Sequence, residues 1–330
     1  MRKRAALSAT ALLACLHAQA DARSFDQAMS ATRPIVDLRL RSENVEQTGI
    51  ARDANAVTLR GRFGFETGKL WNTQLLAEAE LVMPLDAHYN STVNGKTQFP
   101  VVADPEDYAI NRLQLTNTSI ADTTLVLGRQ RLVIDDQRFF GNSGWRQNEQ
   151  TFDALRITNR SIRKLTIDFA YVYQVNRVFG EDSPVGRYRG NNWLTNASYQ
   201  TPIGKLTGFV YVLDLDRAPT DSSKTLGLRV AGGHALESVK IAYSGSYASQ
   251  DDYADNPLKL RDAYYAAEFG ATAHDVNLTA GFEVLEGTGA KGFTAPLGTL
   301  HKFQGWADKF LTTPANGIED RYLAIGYTRK

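Results

Sequence analysis

Apolar and polar residues alternate with a period of two along most of this chain. Val36, Leu38 and Leu40 alternate with charged neighbours, and the same pattern runs through residues 165–176. A two-residue period is that of a β-strand with one apolar face and one polar face. The pattern recurs often enough to predict about 14 strands, a number within the range of membrane barrels. The sequence therefore predicts an all-β protein.

The segments that join these strands alternate in length. Short turns are predicted near residues 117–122 and 161–164, and long polar loops at residues 83–107 and 287–320. Outer-membrane barrels have short periplasmic turns and long extracellular loops, whereas a soluble β-sandwich does not need every second connection to be long. We therefore predict an antiparallel transmembrane β-barrel. Aromatic residues near the strand ends suit its aromatic girdles: Trp71, Tyr108, Tyr173, Trp193, Tyr199, Tyr247 and Tyr264.

The N-terminus has the pattern of a secretory signal peptide. A basic head at residues 2–4 precedes a short apolar stretch, and Ala18 and Ala20 form an A-x-A cleavage site. The apolar stretch is too short to span a bilayer. We predict a signal peptide over residues 1–20 and an outer-membrane barrel domain over residues 21–330.

The two ends of the chain carry further expectations. The single cysteine, Cys15, lies in the signal peptide, so the exported chain would have no disulfide and no thiol chemistry. The chain stops at Lys330 and not on the terminal aromatic residue that is usual for outer-membrane barrels. This ending favours a barrel truncated at its C-terminus. The alternative is a smaller closed barrel, which an even number of strands with both chain ends on the periplasmic side would allow.

The polar face of a membrane barrel points into the lumen. An arginine on the lipid face at mid-depth would cost about 2–4 kcal/mol, so arginines inside strands are expected to face inward. The predicted lumen residues are Arg60, Arg62, Arg112, Arg129, Arg131 and Arg156, with the acids Glu66, Glu78, Glu80, Asp153 and Asp168. Arg129 and Arg131 share strand parity with the apolar Leu125 and Leu127, which requires a bulge or a rim position there.

The hairpin at residues 125–155 has a loop too long for a simple turn. It is rich in arginine, with Arg138 and Arg146 in the loop itself. Rings of arginine favour anions through their field and through bidentate contacts with carboxylate or phosphate. The alternative is that these arginines pair with local acids and only keep the lumen hydrated. The net charge of +1 argues against a nucleic-acid partner.

Two segments resemble the hallmark loops of the alginate-export family of bacterial outer-membrane barrels. They are GRQRLVIDDQRFFGNSGWRQNEQTFDAL at 128–155 and TAPLGTLHKFQGWADKFLTTP at 294–314. The resemblance implies a monomeric barrel in the outer membrane of a Gram-negative bacterium. It also implies an arginine-rich pore for an anionic polysaccharide, or for small anionic or polar solutes. The family's well-known exporter has a larger barrel than the strands predicted here.

The same resemblance carries pore or solute-binding roles onto particular residues. In the first segment these are Arg129, Arg131, Asp136, Arg138, Arg146 and Asp153. In the second they are His301, Lys302, Trp306, Asp308 and Lys309. The charged residues among these, apart from His301, form the predicted pore set together with Arg60, Arg62, Arg112 and Arg156.

Two other classes of function stay open as alternatives, an outer-membrane hydrolase and a soluble periplasmic binding protein. The histidines outside the signal peptide, His88, His234, His274 and His301, fall in predicted loops or turns, and no G-x-S-x-G motif is present. We therefore predict no enzymatic activity. Acids at 214–221 do not match the spacing of a calcium loop, so neither a metal nor a cofactor is expected.

Overall fold

The computed structural model describes residues 3–4, 8–11 and 24–328. Its helix is α1 (Phe25–Ser30), and short 3₁₀ turns occur at Pro219–Asp221, Leu300–Lys302 and Gln304–Ala307. The strands are β1 (Lys3–Arg4), β2 (Ser8–Ala11), β3 (Arg33–Val45), β4 (Ala54–Glu66), β5 (Thr73–His88), β6 (Asp107–Asn117), β7 (Thr123–Gln130), β8 (Thr151–Asn159), β9 (Leu165–Asn176), β10 (Arg187–Thr201), β11 (Gly204–Leu213), β12 (Ser223–Ala235), β13 (Val239–Asp252), β14 (Arg261–Ala273), β15 (Val276–Leu285) and β16 (Ile318–Tyr327).

The strands from β3 to β16 follow one another in a single sheet in the order of the sequence. Adjacent strands pair in the antiparallel direction, for example Leu40↔Leu59 between β3 and β4. These 14 strands confirm the predicted number and the all-β class. The short β1 and β2 pair with β3. The rest of the predicted signal peptide, including its cleavage site, lies outside the described residues.

Burial along the strands is the reverse of that in a soluble protein. In β12, Leu226 and Leu228 are each 59% exposed, whereas the alternating Thr225 is buried. In β3, Leu38 and Leu40 are exposed while Arg39 and Arg41 are buried. One face of the sheet, the outer face, is therefore apolar and uncovered, and the inner face holds charged groups. No helix among the described residues is long and apolar enough to cross a membrane.

The connections alternate in length as predicted. The short ones are 67–72, 118–122, 160–164, 202–203, 236–238 and 274–275. The long ones are 46–53, 89–106, 131–150, 177–186, 214–222, 253–260 and 286–317. In membrane barrels, short turns of this kind lie at the periplasmic rim. A small apolar cluster lies between the long-loop ends of β3, β4 and β5: Val45, Ala54, Ala56, Tyr89 and Val102.

Several predicted boundaries were wrong. β5 continues to His88 and does not end before Met83, because residues 83–88 still pair with β4 beyond a register shift at Val57/Thr58. β12 runs through His234 to Ala235, so His88 and His234 lie in strands and not in loops.

The aromatic girdle was predicted with one error. Tyr264 is 2% exposed and packs on Phe293, because the neighbouring Tyr265 holds the outward position in β14. The other predicted girdle residues are exposed by at least a third: Trp71, Tyr108, Tyr173, Trp193, Tyr199 and Tyr247.

The backbone conformation of Gly128 explains how Leu127 and Arg129, two residues apart in β7, can face opposite sides of the sheet. Leu127 is 56% exposed on the outer face, yet Arg129, two residues later, is largely buried against Asp153. Gly128 lies between them with φ +113°, a region that favours glycine. Arg129 also forms the last pair of the β6–β7 ladder, with Leu113. Strand alternation is thus interrupted at the end of a ladder.

The described chain divides into two compact units. The first comprises residues up to Leu155, with Val172–Arg189 and Leu297–Phe303. The second comprises Arg156–Tyr171, Gly190–Pro296 and the residues from Gln304 onward. The long loop 131–150 belongs to the first unit.

Candidate pore constriction

Arg39 fixes the loop 131–150 against the inner face of β3. Its guanidinium donates to three consecutive loop carbonyls, those of Gly144 (3.0 Å), Trp145 (2.7 Å) and Arg146 (3.1 Å). A guanidinium has five donors in a fixed fork, so it can hold several carbonyls at once. Since β3 is four strands away from β7 in the sheet, the loop crosses the inner face of β4, β5 and β6.

Gln147 makes a second attachment, to β4. Its side-chain amide donates to the Thr58 hydroxyl (2.8 Å) and carbonyl (3.0 Å), and Gln147 is fully buried. The backbone N–H of Gln147 donates to Asp104 Oδ1 at 2.8 Å. The attachments to β3, β4 and the loop 89–106 therefore hold one short stretch, residues 144–147.

A buried ion network surrounds this stretch. Arg41 pairs with both Glu43 and Asp104, and each of the three side chains is at most 3% exposed. Arg146 of the loop joins the network at 3.5 Å from Glu43. Trp145 covers it, with the Arg41 guanidinium 4.0 Å from the ring centroid. Breaking one partner of such a buried network is strongly destabilising, because the other charge stays buried.

A second network centres on Glu149 at the end of the loop. Arg131 binds both Glu149 oxygens from its Nε at 2.7 Å, and Arg62 lies 3.3 Å from Glu149. Burial raises the pKa of the Glu149 carboxyl, but the charge of Arg62 and the hydrogen bond from Arg131 outweigh it and hold the pKa at about 2. Glu149 is therefore ionised at neutral pH.

Glu78 extends this second network along the inner face. Arg112 binds it in the bidentate manner, with N–O distances of 2.9 and 2.6 Å. Asn111 bridges Glu78 and Glu149 with hydrogen bonds of 2.7 and 2.6 Å. Asn111 and Arg112 both reach Glu78 because the β5–β6 register shifts at Glu78/Ala79. A bulge thus places two consecutive side chains on one carboxylate.

The segment 297–303 packs on the loop within the first unit. His301 stacks on Trp145 with 3.8 Å between ring centroids and an interplanar angle of 6°. The Lys302 ammonium donates to the Asp136 carbonyl at 2.8 Å, and the Arg138 guanidinium lies 4.7 Å from the Phe303 ring centroid. The two segments that resemble the hallmark loops therefore contact each other directly.

The predicted pore set is brought together in part. Arg62, Arg112, Arg131 and Arg146 belong to the two networks. Arg60 binds Asp37 at 2.8 Å, and Arg129 binds Asp153, which also accepts from Gln174. In the second unit Arg156 pairs with Asp168. Also in that unit, Trp306 is 68% exposed and the Asp308 N–H donates to the Gly305 carbonyl. Lys309 follows directly after that turn and is exposed.

The sequence reasoning missed five charged residues of the constriction. They are Arg39, Arg41, Glu43, Asp104 and Glu149. The first three could have been found, because they occupy alternate positions on the polar face of β3. Asp104 and Glu149 lie in loops, where no periodicity marks a side chain that points at a distant strand.

Pairing divides the arginines into two groups. The side chains of Arg41, Arg60 and Arg62 are at most 5% exposed, so they act inside the wall. The side chain of Arg131 is 31% exposed and that of Arg112 is 16% exposed, so a solute can reach them. Beside Glu149 a polar cavity of about 30 Å³ leaves room for about one water. The accessible chemistry is thus a positive surface and not a deep pocket.

The fold of the chain is similar to the folds of solved outer-membrane channels. OccK9 (OpdG) of Pseudomonas aeruginosa aligns with a TM-score of 0.66 at 16% identity, covering 87% of this chain and 76% of that chain. OpdK of the same organism, solved with vanillate, aligns with a TM-score of 0.61 at 11% identity, covering 78% and 67%. OccK2 (OpdF), solved with glucuronate, aligns with a TM-score of 0.54 at 14% identity, covering 79% and 66%.

The chain has the fold of outer-membrane porins. This likeness, together with the 14 antiparallel strands, confirms the predicted barrel class. No protein-family model and no curated protein sequence matches the chain. The resemblance to the alginate-export family therefore gains no support beyond the barrel fold that the two kinds of protein share.

Two of the histidines considered for a hydrolytic site contact a carboxylate or an aromatic ring. His88 lies 2.6 Å from Asp86 and contacts the Phe99 ring, and His301 stacks on Trp145. The described chain also holds no group of three or more side chains suited to a metal ion.

Proposed function

We propose that this protein is an outer-membrane channel of a Gram-negative bacterium that passes small anionic solutes. It would act as a monomer surrounded by outer-membrane lipid, without a cofactor. The observation that carries the proposal is the exposed edge of Arg131 at the loop that crosses the inner face. A guanidinium at that place attracts a passing carboxylate or phosphate.

The neighbouring groups keep this attraction moderate. Arg131 forms an ion pair with Glu149, and Arg112 forms an ion pair with Glu78, so part of each positive charge is neutralised. An anion that binds there competes with carboxylates already in place, so it is released again. Conduction needs this balance between entry and release.

Two observations support small solutes over an anionic polysaccharide such as alginate. The loop 131–150 occupies the inner face and is fixed there by buried contacts. Two structural neighbours were solved with vanillate and glucuronate, which are small carboxylates. We therefore place small carboxylates first among the solutes to test.

The test is the ion selectivity of Arg131→Gln in planar bilayers. One unit charge about 6 Å away in water attracts a monovalent anion and repels a monovalent cation by about 0.7 kcal/mol each, so we expect the anion-to-cation permeability ratio to fall about tenfold. The fold should persist, since Glu149 keeps Arg62 and Asn111 as partners. The matched control is Arg163→Gln, which removes the same charge from an exposed position in a short turn.

The reversal potential in a salt gradient measures this ratio. A wild-type channel that prefers cations, or equal ratios in Arg131→Gln and wild type, would contradict the proposal. Folded protein that gives no conductance at all would favour the soluble binding-protein alternative.

A further inference from the structure

The short helix α1 is docked at the short-turn end of β4 and β5. The Gly68 N–H in the turn donates to the Ala28 carbonyl at 3.0 Å. A Cβ on Gly68 would lie 2.8 Å from that carbonyl oxygen and from the Ala31 Cβ, so only glycine permits this approach. Ser24 caps the helix by accepting a hydrogen bond from Gln27 N–H. The helix is thus held at one defined place beside the barrel strands.

This docking leaves an apolar groove of about 480 Å³ between the helix, the turn and the outer face of the sheet. The floor is formed by Phe65, Leu75 and Leu115, from three adjacent strands. Phe25 and Met29 of the helix, and Trp71 of the turn, line the sides. The volume lies within the range of ligand pockets in proteins.

The residues that line the groove are unusually exposed for their type. Trp71 is 77% exposed, Phe25 66% and Met29 44%. Covering apolar surface contributes about 25 cal/mol per Å², so a contiguous uncovered patch of this kind indicates an interaction surface. What covers it must itself be apolar.

The groove continues the lipid-facing surface of the barrel. Leu115 and Phe65 occupy the same outward positions as Leu113 and Phe63, which lie farther along the same strands. In a porin fold this outer face contacts hydrocarbon, and tryptophan marks the headgroup level at each rim. Lys69 lies between two groove residues, where its positive charge suits a lipid phosphate.

We propose that this groove binds one acyl chain of a phospholipid from the periplasmic leaflet. The headgroup would lie beside Trp71 and Lys69. The helix α1 then acts as a clamp that keeps one lipid at the periplasmic rim. The inference rests on the insertion of the barrel in a membrane, which is part of the proposed function.

The test measures a lipid that stays bound after removal of the bulk lipid. Purified protein in mild detergent is incubated with palmitoyl-oleoyl phosphatidylethanolamine and examined by native mass spectrometry. We expect the wild type to retain one phospholipid. Leu115→Trp fills the groove with an indole and should lower retention about tenfold, equivalent to about 1.4 kcal/mol.

The matched control is Leu113→Trp. Leu113 is 46% exposed and Leu115 is 47% exposed, on the same face of β6, but Leu113 lies outside the groove. It should retain the lipid as the wild type does. Equal retention in the two variants, or none in the wild type, would overturn the proposal. A dimer in the mass spectrum of the wild type that is absent for Leu115→Trp would also overturn the proposal, because the groove would then bind a second copy of this chain.

Two further measurements keep the outcome interpretable. Gly68→Leu is a second variant, for use if Leu115→Trp does not fold. Its side chain would clash with Ala28 and displace α1, so we expect it to abolish lipid retention. Conductance recorded from the same preparations separates the two proposals. If the wild type conducts but retains no lipid, only the proposal of a lipid-binding groove is contradicted. If it retains lipid but does not conduct, only the proposed channel function is contradicted.

Discussion

Replacement of Arg39 by methionine should release the loop 131–150 from the inner face of β3. Arg39→Met removes the three hydrogen bonds to the carbonyls of Gly144, Trp145 and Arg146 while keeping a long apolar stem. A hydrogen bond to a charged group contributes about 1.5–3 kcal/mol, and the carbonyls left buried add to the cost. Because one guanidinium makes all three bonds, we take about 3 kcal/mol for the set.

That free energy changes the position of the loop more than the stability of the barrel. A loss of about 3 kcal/mol raises the ratio of displaced to anchored loop by about 100-fold. Single-channel recordings should therefore show a larger mean conductance with frequent transitions between levels. Arg39→Lys, which keeps the charge but loses the planar fork, should give an intermediate effect.

The control for this experiment is Arg163→Met at the exposed turn, where conductance should match the wild type. Heat-dependent mobility in a denaturing gel verifies that each variant is a folded barrel. Steady wild-type conductance from folded Arg39→Met would refute the reasoning, because the loop would then be held by contacts other than those of Arg39.

Two further predictions concern Glu149 and Gly128. The pKa of Glu149 is lowered to about 2 in the folded protein, from about 4.3 in the unfolded chain. The contacts of the ionised carboxylate therefore stabilise the loop fully above about pH 4.3 and are lost only as the pH falls through about 2. Conductance should therefore be steady down to mildly acidic pH. A conductance change near pH 5 that is absent in Glu149→Gln would contradict this. Gly128→Ala should lower the yield of folded barrel, since its Cβ would lie 2.3 Å from the Leu113 carbonyl and φ is +113°. A Cβ at Gly245 would make only an ordinary van der Waals contact, 3.7 Å from Val230 Cγ1, so Gly245→Ala should fold normally; equal yields would show that β7 adapts.

The periodic part of the structure could be predicted from the sequence, because strands follow a local rule. Alternation in β3 and β9 reveals which residues face lipid without any knowledge of their partners. The same rule failed at Tyr264, where two adjacent tyrosines compete for one outward position, and at Gly128, where a backbone irregularity resets the alternation.

The constriction could not be predicted in the same way. Arg41 meets Asp104, and Arg39 meets Trp145, across separations of 63 and 106 residues. These contacts between residues far apart in the sequence, and not the residue type, determine which arginines are exposed. The sequence left open whether the arginines bind a solute or each other's acids. The structure contains both cases, with Arg41 enclosed and Arg131 partly exposed.

The contact between Arg39 and the loop has a consequence for the divergence of such channels. Arg39 binds carbonyl groups, which every residue possesses, and not the side chains of Gly144, Trp145 and Arg146. Substitutions in the loop can therefore accumulate while its path across the inner face is preserved. Under the proposed function, lineages that retain an arginine at this place in β3 could acquire new solutes through changes in the loop alone.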